Sequence, residues 1–230
     1  MSAGEAGPPA MRLERVSRDY RQGGETVHAL RSTDLELRRG ELVGILGPSG
    51  SGKSTLLTLL GGLRSPSTGT VTISGEPFSA LPERRRADLR LRRIGFVLQA
   101  SGLVPFLRLN DQFALHDAAA RTRADPRRRD RLLEDLGISR RARAYPADLS
   151  GGERQRAAIA VALYHDPDIV LADEPTAALD TRRARDVARL LADQTHELGK
   201  AAVMVTHDER LLPVCDRVLV MHDGVLTPGA

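Results

Sequence analysis

Tryptophan is absent from this chain, aromatic residues make up only 3% of it, cysteine occurs once, and Lys53 and Lys200 are the only lysines. Each shortage excludes something. With Cys215 alone, no disulfide framework can form within the chain, so a reducing compartment is the default and the thiol reads as core packing. The longest unbroken apolar stretches, such as AAIAVALY at 157–164, fall far short of the ~20 residues a membrane helix needs, and the start does not resemble a secretory signal. The chain is therefore expected to be soluble. Its net charge of +4 would suit nucleic acid, yet the arginine clusters at 84–86, 127–129 and 140–141 lack interleaved aromatics on which bases could stack. No nucleic-acid partner is expected. Such basic runs are usually solvated or paired on helix faces, and their other use is attraction to anionic lipid headgroups.

What is present is a phosphate cradle. Residues 47–54, GPSGSGKS, satisfy G-x-x-x-x-G-K-[ST] at every fixed position. The apolar run ELVGIL before it has strand length, and STLLTLLGGL after it carries leucines at helical spacing. Strand, loop and helix are the context the motif demands. The backbone N–H groups of Gly47, Pro48, Ser49, Gly50, Ser51, Gly52, Lys53, Ser54 and Thr55, proline excepted, are candidates to surround phosphates at the positive end of the following helix. Lys53 would reach the outermost phosphates and Ser54 would ligate Mg²⁺.

At 230 residues the chain is ample for one domain with subdomains. Residues 1–10, small and rich in glycine and proline, predict a mobile tail. LERVSRDY and VHALRSTDLELRRGE predict strands joined by a turn at Gly23 and Gly24, an antiparallel entry to the loop. Tyr20 ends the first strand, where its ring could stack on an adenine or serve as an ordinary strand-edge tyrosine. VTIS and RIGFVLQ predict further strands. The stretch from Asn110 to Gly137 predicts helices, with Pro126 at a helix start. LSGGERQRAAIAVALY then places a glycine pair at a helix N-terminus, which offers unpaired N–H groups to a second phosphate contact.

The strand DIVLADEP ends in Asp173 and Glu174, where a parallel strand delivers its end to a ligand crevice. Asp173 is expected to complement Ser54 at Mg²⁺, and Glu174 to orient or deprotonate an attacking water. AAVMVTH ends in His207, at the same edge and able to contact a γ-phosphate. Strands alternating with helices argue for an α/β fold with a mostly parallel sheet covered on both faces.

Taken together, GPSGSGKS, Gln99, LSGGE at 149–153, LADE at 171–174, AALD at 177–180 and His207 resemble the ATP-binding subunit of an ABC transporter, in family order across residues 11–228. VHAL, FVLQ with LVP, and YPADLSGGE are similar to the ATPases of the macrolide-export, lipoprotein-release, haem-export and cell-division branch. The resemblance implies a RecA-like P-loop NTPase core, an N-terminal antiparallel β subdomain and a helical subdomain inserted at about 100–165. It implies ATP and Mg²⁺ as cofactors, with Gln99 at the metal and γ-phosphate beside the catalytic Glu174 and His207. It also implies a head-to-tail homodimer in which Ser150, Gly151, Gly152 and Glu153 face the partner's nucleotide, and a separate integral-membrane permease. The permease would place the chain on the inner face of the cell membrane. An exporter is expected, and a regulatory ATPase without cargo, as in cell division, is the alternative. Leu98, Arg108, Asp111, Gln112, Val161 and Ala177 depart from the branch's usual residues, and most of them lie near the segment that would meet the permease. The apolar loop Leu103–Leu107 is expected to dock the permease or to pack inward.

Overall fold

The structure, a computed structural model, describes residues 8–177 and 179–229. The expected tail ends earlier than residue 10: Ala10 is fully buried, and its carbonyl accepts from the Ser74 N–H at 2.9 Å. It extends the ladder that begins with Met11 opposite Ile73. Residues 1–7 and Ala178 of the AALD segment lie outside the described residues.

Strands β1 (Met11–Gln22) and β2 (Glu25–Leu37) pair antiparallel about the turn at Gly23 and Gly24, as their flanking patterns predict. With β4 (Thr68–Ile73) and β5 (Glu76–Pro77) they form a four-stranded antiparallel sheet ordered β2-β1-β4-β5. The second sheet carries the chemistry. Its strands β3 (Glu41–Leu46), β6 (Ile94–Val97), β7 (Ile169–Asp173), β8 (Ala201–Thr206) and β9 (Arg217–His222) run parallel in the order β9-β3-β8-β7-β6. An antiparallel edge strand, β10 (Val225–Pro228), follows β9 through Asp223 and Gly224. Both turn residues have positive φ, 47° and 75°, the requirement of a type I′ hairpin that an Asp-Gly pair meets.

Both faces of this sheet are buried, which is why its strands read as unbroken apolar runs. The period of two still sorts them. Leu42, Val170, Ala172, Ala202 and Met204 join one core, and Val43, Ile45, Ile169, Leu171, Val203 and Val205 join the other. Helix α1 (Lys53–Leu60) packs into the second core through Leu56, Leu57, Leu59 and Leu60. Helices α3 (Leu109–Ala120), α4 (Pro126–Asp135) and α5 (Gly151–Tyr164) supply the first, with α6 (Thr181–Glu197) against β3 and β8. Pro126 stands at the first position of α4, and the side chain of Asp125 caps it by accepting from the Arg128 N–H at 3.0 Å.

One helix was not expected. Helix α2 (Glu83–Arg93) has the sequence ERRRADLRLRR, in which charge hides any apolar period. Its Arg86 is nevertheless buried, pairing with Glu83 and donating to Ser65 Oγ at 2.8 Å. The other arginine clusters are also partly structural. Arg128 donates to the carbonyls of Tyr164 (2.7 Å) and Leu163 (3.0 Å), a cation at the negative end of α5. Arg141 holds Glu153.

Candidate active site

Register decides what meets at the end of the parallel sheet. Leu46 is opposite Thr206, and Asp173 is opposite Val205. The residues that follow these strands, the phosphate loop, Glu174 and His207, therefore share one edge. Val97 pairs with Ala172, so Gln99 arrives there too. A cavity of about 780 Å³ opens at this edge, lined by Ser49, Gly50, Gly52, Lys53, Ser54, Thr55, Gln99, Asp173, Glu174 and His207.

The loop is shaped by what its glycines avoid. A Cβ on Gly47 would sit 2.3 Å from the Met221 carbonyl oxygen, and one on Gly52 would sit 2.5 Å from that of Ala29. Gly50 and Gly52 also take φ of 81° and 112°, where side chains are strained. The β9–β10 turn holds the loop from outside. Gly224 N–H donates to the Ser51 carbonyl at 2.8 Å, and the Gly224 carbonyl accepts from Arg31 N–H at 2.8 Å. Lys53, 8% exposed, lies back over the loop and donates to the carbonyls of Gly47 (2.7 Å) and Pro48 (2.8 Å). Ser51 Oγ is buried without a hydrogen-bond partner. Gly47 and Ser51 are thus buried beneath the loop, whereas Pro48 is exposed.

Asp173 and Glu174 form the wall facing Lys53. Burial pushes the Asp173 carboxyl above its ordinary pKa, the neighbouring Glu174 charge adds to the rise, and Lys53 opposes it. Glu174 has φ of 46°, a left-handed conformation that costs a non-glycine residue about 1–3 kcal/mol and is typical of functional turns. Its Oε1 lies 2.9 Å from His207 Nδ1. The donors available at this wall are a hydroxyl, carboxylates and the Gln99 amide, an oxygen set suited to a hard dication.

Tyr20 does not line this cavity: it pairs with Val27, which does, and the Arg18 guanidinium lies 4.7 Å from its ring centroid. The LSGGE segment is also outside. Ser150 caps α5, its Oγ accepting from Glu153 N–H at 3.3 Å while Glu153 Oε2 accepts from Ser150 N–H at 2.8 Å. Arg141 Nε donates to the other Glu153 oxygen at 2.8 Å. The Ser150 N–H and then Arg141 lower the Glu153 pKa to about 2. Glu153 is a brace for the helix end, a reciprocal capping box, with both oxygens already engaged. Met221 and Gly224, which shape and clamp the loop, were missed as contributors, although Asp-Gly after an apolar run is a hairpin signal.

Residues 30–177 match the sequence family described as "ABC transporter". A Staphylococcus aureus relative (strain bovine RF122 / ET3-1) named "Putative hemin import ATP-binding protein HrtA" is 40% identical over 220 residues, covering 95% of this chain and 99% of that protein. The dimeric structure of MJ0796, a bacterial ABC transporter cassette, superposes with a TM-score of 0.83 at 36% identity, covering 93% of this chain and 95% of that one. Its dimeric post-hydrolysis state bound to ADP and Pi gives the same TM-score and identity over 95% and 98%. The chain belongs to the ABC transporter family and is an ATP-binding subunit that hydrolyses ATP.

Proposed function

We propose that two copies of this chain close head to tail on ATP and drive a separate integral-membrane permease, with export as the direction. One observation carries the pairing. Each chain holds a complete phosphate cradle, yet the capped, outward end of α5 at Ser150, Gly151 and Gly152 lies outside that cavity. A helix N-terminus offers N–H groups and partial positive charge to an anion, and only a second copy can bring this one to the nucleotide. The dimeric MJ0796 structures support the pairing of two copies.

Within each site, Lys53 would bind the outer phosphates, and Ser54, Asp173 and Gln99 would hold Mg²⁺. The ion would supply charge neutralisation at the phosphates. Glu174, oriented by His207, would take a proton from the attacking water, general-base help worth about 10² to 10⁴ in rate.

No described helix is long and apolar enough to cross a membrane, so a place at the inner face of the cell membrane requires the permease. Phe106, 78% exposed in the loop before α3, is the anchor offered to it. Export is supported by likeness of VHAL, FVLQ and YPADLSGGE to the export branch, whereas the S. aureus relative is named for hemin import. Proteoliposomes holding the chain and its permease, ATPase side outward, separate these readings with hemin as probe. ATP-dependent accumulation in the lumen supports export, and depletion of preloaded hemin supports import. ATP turnover without movement of hemin or of other candidate cargoes favours the regulatory alternative.

A further inference from the structure

Beside the nucleotide cavity lies a smaller one of about 180 Å³, enclosed by three segments that the chemistry must coordinate. Gln99 enters it from the loop after β6, Gly151 and Gln155 from the first turns of α5, and Pro175 and Leu179 from the turn after Glu174. Gln99 lines both cavities. Gln155 is 5% exposed, and its side-chain Nε2 is buried with no hydrogen-bond partner. A buried amide donor left unpaired is unfavourable, and a cavity of this size, lined in part by Gln99, Ser101, Arg154 and Gln155, has room for a bridging water.

The position explains why such a group belongs there. Gln155 lies one turn into the helix whose N-terminus carries Ser150 and Gly151. Arg154 ties the same turn to the Leu149 carbonyl, and Glu153 ties it to Arg141. The start of α5 is thus braced from outside, while the buried Gln155 lines the same cavity as Gln99. Leucine would fill a similar volume and satisfy the packing, so an amide here serves a polar connection.

We infer that Gln155 is a positioning residue: through its amide, directly or across a water in this cavity, it ties the loop bearing Gln99 to the Ser150–Gly152 end of α5. The end of α5 that serves the partner's nucleotide then moves together with the loop that reads its own. This rests on the role of Gln99 in the proposed function.

The test is a double-mutant cycle on the full chain with Mg-ATP, reading kcat and KM separately. Gln155→Leu should lower kcat about fivefold or more with KM for ATP and the melting temperature little changed. In a Gln99→Ala background the same substitution should cost less than twofold, because coupled residues are non-additive. Equal losses in both backgrounds would overturn the inference while leaving the role of Gln99 intact. An unchanged kcat in Gln99→Ala alone would instead overturn that role, and the inference with it. Should Gln155→Leu fail to fold, Gln155→Glu, which keeps the shape but loses the N–H donors, replaces it in the same cycle with the same expected and contrary outcomes.

Discussion

Glu174 and His207 sit at the ends of adjacent parallel strands, with carboxylate Oε1 2.9 Å from imidazole Nδ1. The backbone enforces the meeting. Glu174 N–H donates to the Val205 carbonyl at 3.0 Å, and the left-handed turn at Glu174 swings its side chain back over the sheet edge. The side chain of Glu174 is only 15% exposed, whereas that of His207 is 65% exposed. The imidazole thus engages one carboxylate oxygen of a residue that lines the phosphate-loop cavity.

Glu174→Gln keeps this shape and removes the base. Turnover should fall by about 10² to 10⁴, the range for a positioned general base, while ATP binding persists and the ATP-bound dimer accumulates. Single-turnover hydrolysis together with size-exclusion chromatography in ATP would measure both. Near wild-type turnover would remove Glu174 from the role.

In the proposed head-to-tail pairing the LSGGE segment at 149–153 would act on another chain's nucleotide, so its defects should be complemented. Ser150→Arg places a bulky cation at the α5 cap and should block hydrolysis, yet the isolated monomer should still bind ATP because Ser150 lies outside its own cavity. Mixed with a chain disabled in the phosphate loop, it should recover one working interface per dimer. A monomeric species that hydrolyses at full rate would sink the head-to-tail scheme.

Much of this site was legible because backbone chemistry left marks in the residues. Positions 47, 50 and 52 must be glycine on grounds of clash or φ, and apolar runs ending in Asp173 and His207 announced strand ends. What stayed hidden depends on packing across the fold. Helix α2 carries its buried contact through Arg86 rather than through an apolar stripe. The register of β1 on β2 sets Tyr20 opposite Val27, which lines the cavity, so its ring stands on the same face of the sheet beside it, a neighbourhood that residue type alone does not announce. Glu153 reads as a ligand contact only through its place in LSGGE, and its distances to Ser150 and Arg141 show both oxygens engaged.

That engagement has a pH signature. Folding lowers the Glu153 pKa from 4.5 to about 2, so its contribution to stability is fully present above about 4.5 and is lost as pH falls toward 2. The melting temperature of Glu153→Gln should lie below wild type by a constant gap at pH 5–7. The gap should narrow as pH drops through this window. A gap that stays constant down to pH 2.5 would mean that the charge of Glu153 does not hold the α5 cap.

The apolar loop before α3 is divided between two tasks. Leu103 packs against the core shared by the helices and one face of the parallel sheet, whereas Phe106 stands 78% exposed. The loop does not hang free: Gln112, 4% exposed, accepts from Val104 N–H at 3.0 Å and donates to the carbonyls of Val104 (2.9 Å) and Leu107 (3.0 Å). Beside it, the Arg108 guanidinium lies 5.4 Å from the Tyr145 ring centroid. An exposed phenylalanine on a braced loop is a prepared contact, and burying it in a permease groove would contribute roughly 1.5–3 kcal/mol. Phe106→Asp should therefore leave the melting temperature within about 1 °C and ATP binding unchanged, since surface changes usually stay within ±0.5 kcal/mol. It should abolish co-purification with the permease and permease-stimulated turnover. Gln112→Leu should weaken the same association less, by loosening the loop while Phe106 remains. If Phe106→Asp unfolds the isolated subunit, the ring is part of its core; if the complex persists unchanged, the permease docks on another surface.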